Sequence, residues 1–259
     1  MVTSLNEQEL LYVRFIGRTA SYRIPTTISG VQLTLEIPSY STIIGMLSVI
    51  LGRKYMPKNQ AIGIRYTYET KNFDLETTHR WKRDSKNGKI TYHGTNPRRR
   101  QVHYNPLLEI FLTDTALEEE LHYPKRTPTL GRSQDIAKID LIKRIKAVPV
   151  NKGKVNSTLI PVNFTNTKNF TEQNNMLPKQ DVMQGVLYVL PTDFDVSELG
   201  KIRIPLNFNM FLGIPKAGQE IEFQQNVRPQ LYSFRKQDIQ PPPNFPWNEN
   251  EQTVYLYYY

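Results

Sequence analysis

Eight cations crowd the segment from Arg80 to Arg100 (Arg80, Lys82, Arg83, Lys86, Lys89, Arg98, Arg99 and Arg100), against one acid, Asp84. Trp81, Tyr92, His93 and His103 lie among them or just beyond. Lys and Arg neutralise phosphates and release condensed counterions, while aromatic rings give unpaired bases a surface to stack on. The combination points to single-stranded nucleic acid. The plainer reading is a solvated, charged hairpin that resists edge-to-edge aggregation. A second basic stretch runs from Lys125 to Lys146, with seven cations against Asp135 and Asp140. Inside it, Gly131-Arg132-Ser133 could bring backbone N–H groups, a guanidinium fork and a hydroxyl to a phosphate. A helix-capping Ser beside a surface Arg explains the same three residues equally well.

Other chemistries find little footing. There is no cysteine, which excludes disulfides, thiolate catalysis, iron–sulfur clusters and cysteine-based zinc sites and fits a reducing compartment. Gly213 and Gly218 have the glycine spacing of a P-loop, but Gln219 and Glu220 follow where Lys and Ser/Thr are needed. His79, His93, His103 and His122 show no i, i+4 pairing, so neither a metal nor any other cofactor is expected. No Gly-x-Ser-x-Gly elbow occurs, and Glu118 to Glu120 read as one helix face. One enzymatic reading survives. A metal-independent ribonuclease needs a base, an acid and a cation at the phosphorane, and His79 or His103 with Tyr22 or Tyr40 would supply them if they converge.

The elements that must position these groups form a chain of 259 residues, 39% hydrophobic and 22% charged, enough for a sizeable core without a metal or disulfide staple. A net charge of +9 favours a polyanionic partner, nucleic acid or an acidic membrane surface. The first 15 residues lack the basic and apolar regions of a signal peptide. The longest apolar run, Ile43 to Leu51, is far short of the roughly 20 residues of a spanning helix. A cytoplasmic protein with no membrane partner is expected, and the glycosylation-like triplets at Asn156, Asn163 and Asn169 read as polar loop.

Leu10 to Ile16 reads as a buried strand. A helix capped by Ser39 or Ser41 follows, with Ile43, Ile44, Leu47, Ile50 and Leu51 on its apolar face and Gly52 at its end. Ala61 to Tyr68 is a second strand. From 71 to 105 the sequence turns polar around Asn87-Gly88, which predicts a tight two-residue turn with both residues at positive φ. Both arms have little to bury, so the hairpin is expected to project. Leu107 to Leu112 resumes the core, followed by a short acidic helix and a mixed segment from Ile136 to Val150. Residues 151–178 read as a long surface loop, and 185–190, 201–210, 219–224 and the aromatic C-terminus as later strands. The order predicts an α+β fold, a ferredoxin-like or RNA-recognition-motif core over 1–150 with the insertion at 71–105, and a β-rich part over 151–259 packed on it.

Ala20-Ser21-Tyr22-Arg23-Ile24-Pro25 and Pro38-Ser39-Tyr40-Ser41-Thr42-Ile43-Ile44-Gly45 resemble the N-terminal signature of the fifth CRISPR-associated family. Arg98 to Leu112 looks like that family's return strand after its thumb, and Thr127 to Ile139 like its Leu-Gly-Arg-Ser loop. The resemblance implies a non-catalytic subunit of a type I Cascade surveillance complex, closest in style to type I-B, that caps the backbone filament beside the large subunit. Its partners would be the 5′ handle of the guide RNA, the backbone and large subunits, and target DNA near the protospacer-adjacent motif. Carried over by position, the RNA-binding residues would be Arg18, Ser21, Tyr22, Arg23, Ser41, Thr42, Arg53, Trp81, Lys82, Arg83, Arg98, Arg99, Arg100, His103, Gly131, Arg132 and Ser133. In type I-C systems a related subunit cuts the repeat with a Tyr, Lys and His set, and no Lys-His neighbour pair is present here. A repeat-processing ribonuclease is the alternative, and a general single-strand-binding module the second.

Overall fold

The computed structural model describes residues 7–24, 27, 30–162, 184–195, 204–222, 230–239 and 251–259. In chain order the strands are β1 (Gln8–Gly17), β2 (Thr19–Ala20), β3 (Val31–Gln32), β4 (Ala61–Thr67), β5 (Thr70–Arg83), β6 (Ile90–Tyr104), β7 (Leu107–Leu112) and β8 (Ala137–Val150). They continue with β9 (Lys152–Val155), β10 (Leu159–Pro161), β11 (Val186–Asp195), β12 (Ile204–Gly213), β13 (Gln219–Glu222), β14 (Leu231–Arg235) and β15 (Glu251–Tyr258). The α-helices are α1 (Tyr40–Leu51) and the five-residue α2 (Glu118–His122). An α+β balance was expected; the described chain is mostly β.

α1 forms where an uncharged, apolar run meets two good caps. The Ser39 Oγ accepts from the Thr42 N–H at 3.2 Å, and Gly52 ends the helix in the left-handed region at φ 65°. Ile43, Leu47 and Ile50 bury their side chains against one face of the sheet, on Leu11, Val13 and Phe15 of β1, Ile62 and Ile64 of β4, and Leu108 and Ile110 of β7. Period-two alternation sends the intervening residues to the other face.

That other face is the inside of a barrel. β1, β7, β4, β15, β14 and β8 close in this order, each neighbouring pair antiparallel. Leu10, Tyr12, Phe111, Ile145, Phe234 and Leu256 fill the interior. Gly63 lets β15 approach β4, since a Cβ there would lie 2.8 Å from the Leu256 and Val254 side chains. An ionic group is buried with them. The Tyr12 hydroxyl donates to Glu109 Oε1 at 2.7 Å, and Arg65 lies 3.7 Å from Glu109 Oε2 with its guanidinium 5.8 Å from the Phe111 ring centre. The sheet face opposite α1 is therefore covered by β14 and β15.

Three local expectations need correction. The hairpin stands where Asn87-Gly88 placed it, but its connection is the six-residue loop 84–89. The Gly88 N–H bonds to the Asp84 carbonyl at 3.0 Å, and of the two turn residues only Gly88 has positive φ, 70°. Asp84 supplies the reason, because its carboxylate accepts from the Lys86 N–H at 2.8 Å and stabilises a wider turn. Residues 151–162 are not loop, because Val155, Leu159 and Ile160 bury themselves as β9 and β10 pair with β13 and β12. β14 was missed altogether. The triplets at Asn163 and Asn169 lie outside the described residues.

Candidate nucleic-acid interface

β5 and β6 pair from Thr70↔Tyr104 to Arg83↔Ile90, with an irregularity between His79 and Trp81 where Gly94 takes φ 94°. The base of β6 is held on its other edge by β2 (Ala20↔His103) and by β3, in parallel (Gln32↔Arg100). Beyond these pairings the hairpin runs on without a further strand among the described residues; all but one residue of β5 and seven of the fifteen in β6 are exposed.

Alternation splits the hairpin into two unlike faces. On β5, the odd positions are Lys71, Phe73, Leu75, Thr77, His79, Trp81 and Arg83, with no carboxylate among them. The register adds Ile90, Tyr92 and Arg99 from β6 to this face. Trp81 is 65% and Tyr92 52% exposed, and their rings meet edge to face at 5.4 Å. The Arg99 guanidinium lies over Phe73 at 5.0 Å. Opposite are Asp74, Glu76, Arg80, Lys82, Arg98 and Arg100, where the acids already hold cations: Arg100 Nε donates to Glu76 Oε2 at 2.8 Å. One face can stack bases and meet phosphates without repulsion. The other is partly self-neutralised.

The three consecutive arginines therefore do not share one face of the hairpin. Of the remaining expected residues, Arg18 and Arg23 are exposed on either side of β2, and Lys82 and Arg83 are exposed near the hairpin end. Ser21 is buried, donating its hydroxyl to the Gln101 carbonyl at 2.9 Å, and Tyr22 packs edge to face on Tyr66. The Ser41 and Thr42 hydroxyls turn to the Ser39 Oγ, at 2.9 and 2.8 Å. Arg53 forms two bonds to Glu120, at 3.1 and 2.6 Å. Gly131 (φ 108°) lies so close to Ser21 that a Cβ would sit 2.0 Å from its carbonyl oxygen, and Ser133 is exposed beside it. Arg132 is bound to Asp135 and Glu76.

His103 is 0% exposed. Its Nδ1 is 2.8 Å from the Tyr66 hydroxyl, and its ring stacks on Tyr68 at 3.8 Å. Glu36 accepts from Tyr68 and from Lys71 beside it. Burial holds the imidazole down at about 4, with Lys71 acting in the same direction and Glu36 against it. The ribonuclease reading needs either histidine beside Tyr22 or Tyr40: His79 stands on the exposed hairpin opposite Thr95, and the tyrosine that His103 meets is Tyr66, which in turn packs on Tyr22. Sequence reasoning missed Phe73 and Leu75 on the ring-bearing face. The signal was present, since odd positions from 71 to 83 avoid acids while even positions hold both.

Residues 10–204 place the chain among CRISPR-associated proteins. The matching family is described as CRISPR-associated protein (Cas_Cas5), and the match spans most of the chain, which belongs to that family. No curated protein sequence matches. Among solved structures, similar chains come from a CRISPR RNA-guided surveillance complex (19% identity, TM-score 0.47, 82% of this chain and 91% of that one) and from a type III-B Cmr-beta complex bound to cognate target RNA (14%, 0.48, 83% and 86%). A third is a CRISPR protein from Archaeoglobus fulgidus (11%, 0.42, 87% and 95%). No described helix is long and apolar enough to cross a membrane.

Proposed function

We propose that this chain is a non-catalytic guide-RNA-binding subunit of a type I Cascade complex, holding the 5′ handle and capping the backbone filament beside the large subunit. The order β8-β1-β7-β4 with α1 is read as a ferredoxin-like core and the β5–β6 hairpin as its thumb. The observation that carries the reading is the ring-bearing hairpin face, on which Phe73, His79, Trp81 and Tyr92 stand with Arg83 and Arg99 and without a carboxylate. Stacking and phosphate neutralisation need that combination. A handle with splayed bases is the substrate it suits. The absence of catalysis is proposed from the lack of a Lys-His neighbour pair and from the burial of His103, which keeps its imidazole from substrate.

The test incubates the full chain with end-labelled CRISPR repeat RNA and a scrambled RNA in EDTA, resolving complexes on a native gel and products on a denaturing gel. Selective retention of uncut repeat is expected. A single cut within the repeat would make the chain the processing nuclease, and equal retention of both RNAs would reduce it to a general single-strand binder.

A further inference from the structure

Arg132 sits in a basic stretch, so a phosphate is its obvious partner; its surroundings say otherwise. We infer that Arg132 is a positioning residue, which fixes the direction of the β5–β6 hairpin through Glu76 and touches no phosphate itself. The inference builds on the proposed RNA-binding role of the hairpin.

Each of the three guanidinium nitrogens donates to a carboxylate. Nε and Nη2 donate to the two oxygens of Asp135 at 2.9 and 2.8 Å, and Nη1 donates to Glu76 Oε1 at 2.5 Å, with Asp74 Oδ2 at 3.6 Å. The side chain is 9% exposed. A phosphate would have to reach a side chain that is already buried and would approach Asp74, Glu76 and Asp135 together, three negative charges against Arg132 and Arg100.

The two ends of this bridge differ in rigidity. On the body side Asp135 is fully buried and accepts from the Thr19 hydroxyl at 2.6 Å, while Gly131 is pressed against the Ser21 backbone. On the hairpin side Glu76 also accepts from Arg100 and Gln134. Glu76 lies opposite Arg98, next to the last residues of β6 that β3 pairs, Arg99 and Arg100. Past this point no further strand flanks the hairpin among the described residues. The Glu76–Arg132–Asp135 bridge thus ties it to a rigid loop where strand pairing gives out. A hairpin aimed in advance loses less freedom when RNA binds.

The chain has no cysteine, so Lys86→Cys and Lys138→Cys create a unique spin-label pair, one on the hairpin loop and one on β8. Electron–electron resonance on the full chain should give a narrow distance distribution that broadens in Glu76→Gln and in Arg132→Ala. Arg132→Ala also strips a buried Asp135 of its partner, so the near-isosteric Glu76→Gln keeps the test clean if the first variant does not fold. Repeat-RNA affinity, measured across salt, is the second arm. As a brace, Glu76→Gln weakens binding roughly 3- to 10-fold, about the cost of ordering one or two side chains, and leaves the salt slope unchanged. As a phosphate ligand, Arg132 freed by Glu76→Gln would bind RNA more tightly, and Arg132→Ala would lower the slope by about 1. Unchanged distance distributions, or tighter binding by Glu76→Gln, would overturn the inference. A parent chain that ignores RNA would instead overturn the hairpin's proposed role, with the distance measurement still deciding the brace.

Discussion

The barrel and the hairpin are both built from antiparallel strands, yet they solve opposite problems. In the barrel β1 is buried from Leu10 to Phe15 and both faces of the sheet pack on apolar side chains. In the hairpin, β5 pairs along 14 residues and leaves all but one exposed. The barrel holds its charges by burial and pairing, as at Arg65 and Glu109; the hairpin leaves most of its cations to water. The lesson concerns where stability and recognition reside. A mutation in one region should move unfolding, and in the other RNA affinity, with little crossover.

The sharpest break is Glu109→Ala. It leaves Arg65 and the Tyr12 hydroxyl buried without their acid, a loss of roughly 3–5 kcal/mol for a broken buried pair. Urea unfolding should show a midpoint shift of that size. A shift no larger than that of a surface substitution would mean water reaches the barrel interior.

Next in size is pH. His103 belongs to the body although it lies on β6, and it joins the two regions. Unfolded it titrates near 6.5, folded near 4. Between those values the unfolded chain binds the additional proton, so stability falls as pH drops through the window, by up to about 3 kcal/mol. Glu36 and Glu76, held below the usual carboxylate range chiefly by bonds to Lys71 and to Arg132 against the opposing effect of burial, add a loss that begins below about pH 4.5. Urea midpoints at pH 7, 5.5 and 4.5 should decline, and His103→Phe should flatten the upper part of that decline. An unaltered profile would place a proton on His103 in the folded state.

On the hairpin, Trp81→Ala should cost about 1–3 kcal/mol of RNA affinity, one stacked base, with no change in unfolding midpoint. Titration of fluorescently labelled repeat RNA measures it. A loss of stability without a loss of affinity would show that the hairpin packs on the body and that the comparison is misdrawn.

How far the sequence disclosed these regions follows from the same contrast. Strands such as β7 (Leu107–Leu112) were legible because burial on both faces writes a continuous apolar run. α1 was legible through Ser39 and Gly52, whose cap chemistry is local. β14 was not, since Leu231–Arg235 is five residues long and owes its place both to β15, the next strand, and to β8, a neighbour far back in the sequence. Closure of the barrel was hidden for that reason, and with it the covering of the sheet face opposite α1. In the candidate site, cation density was visible but its division between faces depends on register. Arg132 looked available because its partner Glu76 is 56 residues away.

The smallest effect separates neighbours. Arg98, Arg99 and Arg100 are adjacent in sequence, but Arg99 shares its face with Phe73 and Trp81, whereas Arg98 and Arg100 share theirs with Glu76. If the ring-bearing face meets the RNA backbone, Arg99→Ala should lower the salt slope of binding by about 1, and Arg98→Ala should leave it unchanged. Affinities measured at several salt concentrations for the two variants and the parent give the slopes directly. Equal reductions would mean that RNA wraps both faces of the hairpin. A reduction confined to Arg98→Ala would put RNA on the acid-bearing face, where Glu76 and Asp74 stand closest to the phosphates, and would leave the rings for a protein neighbour.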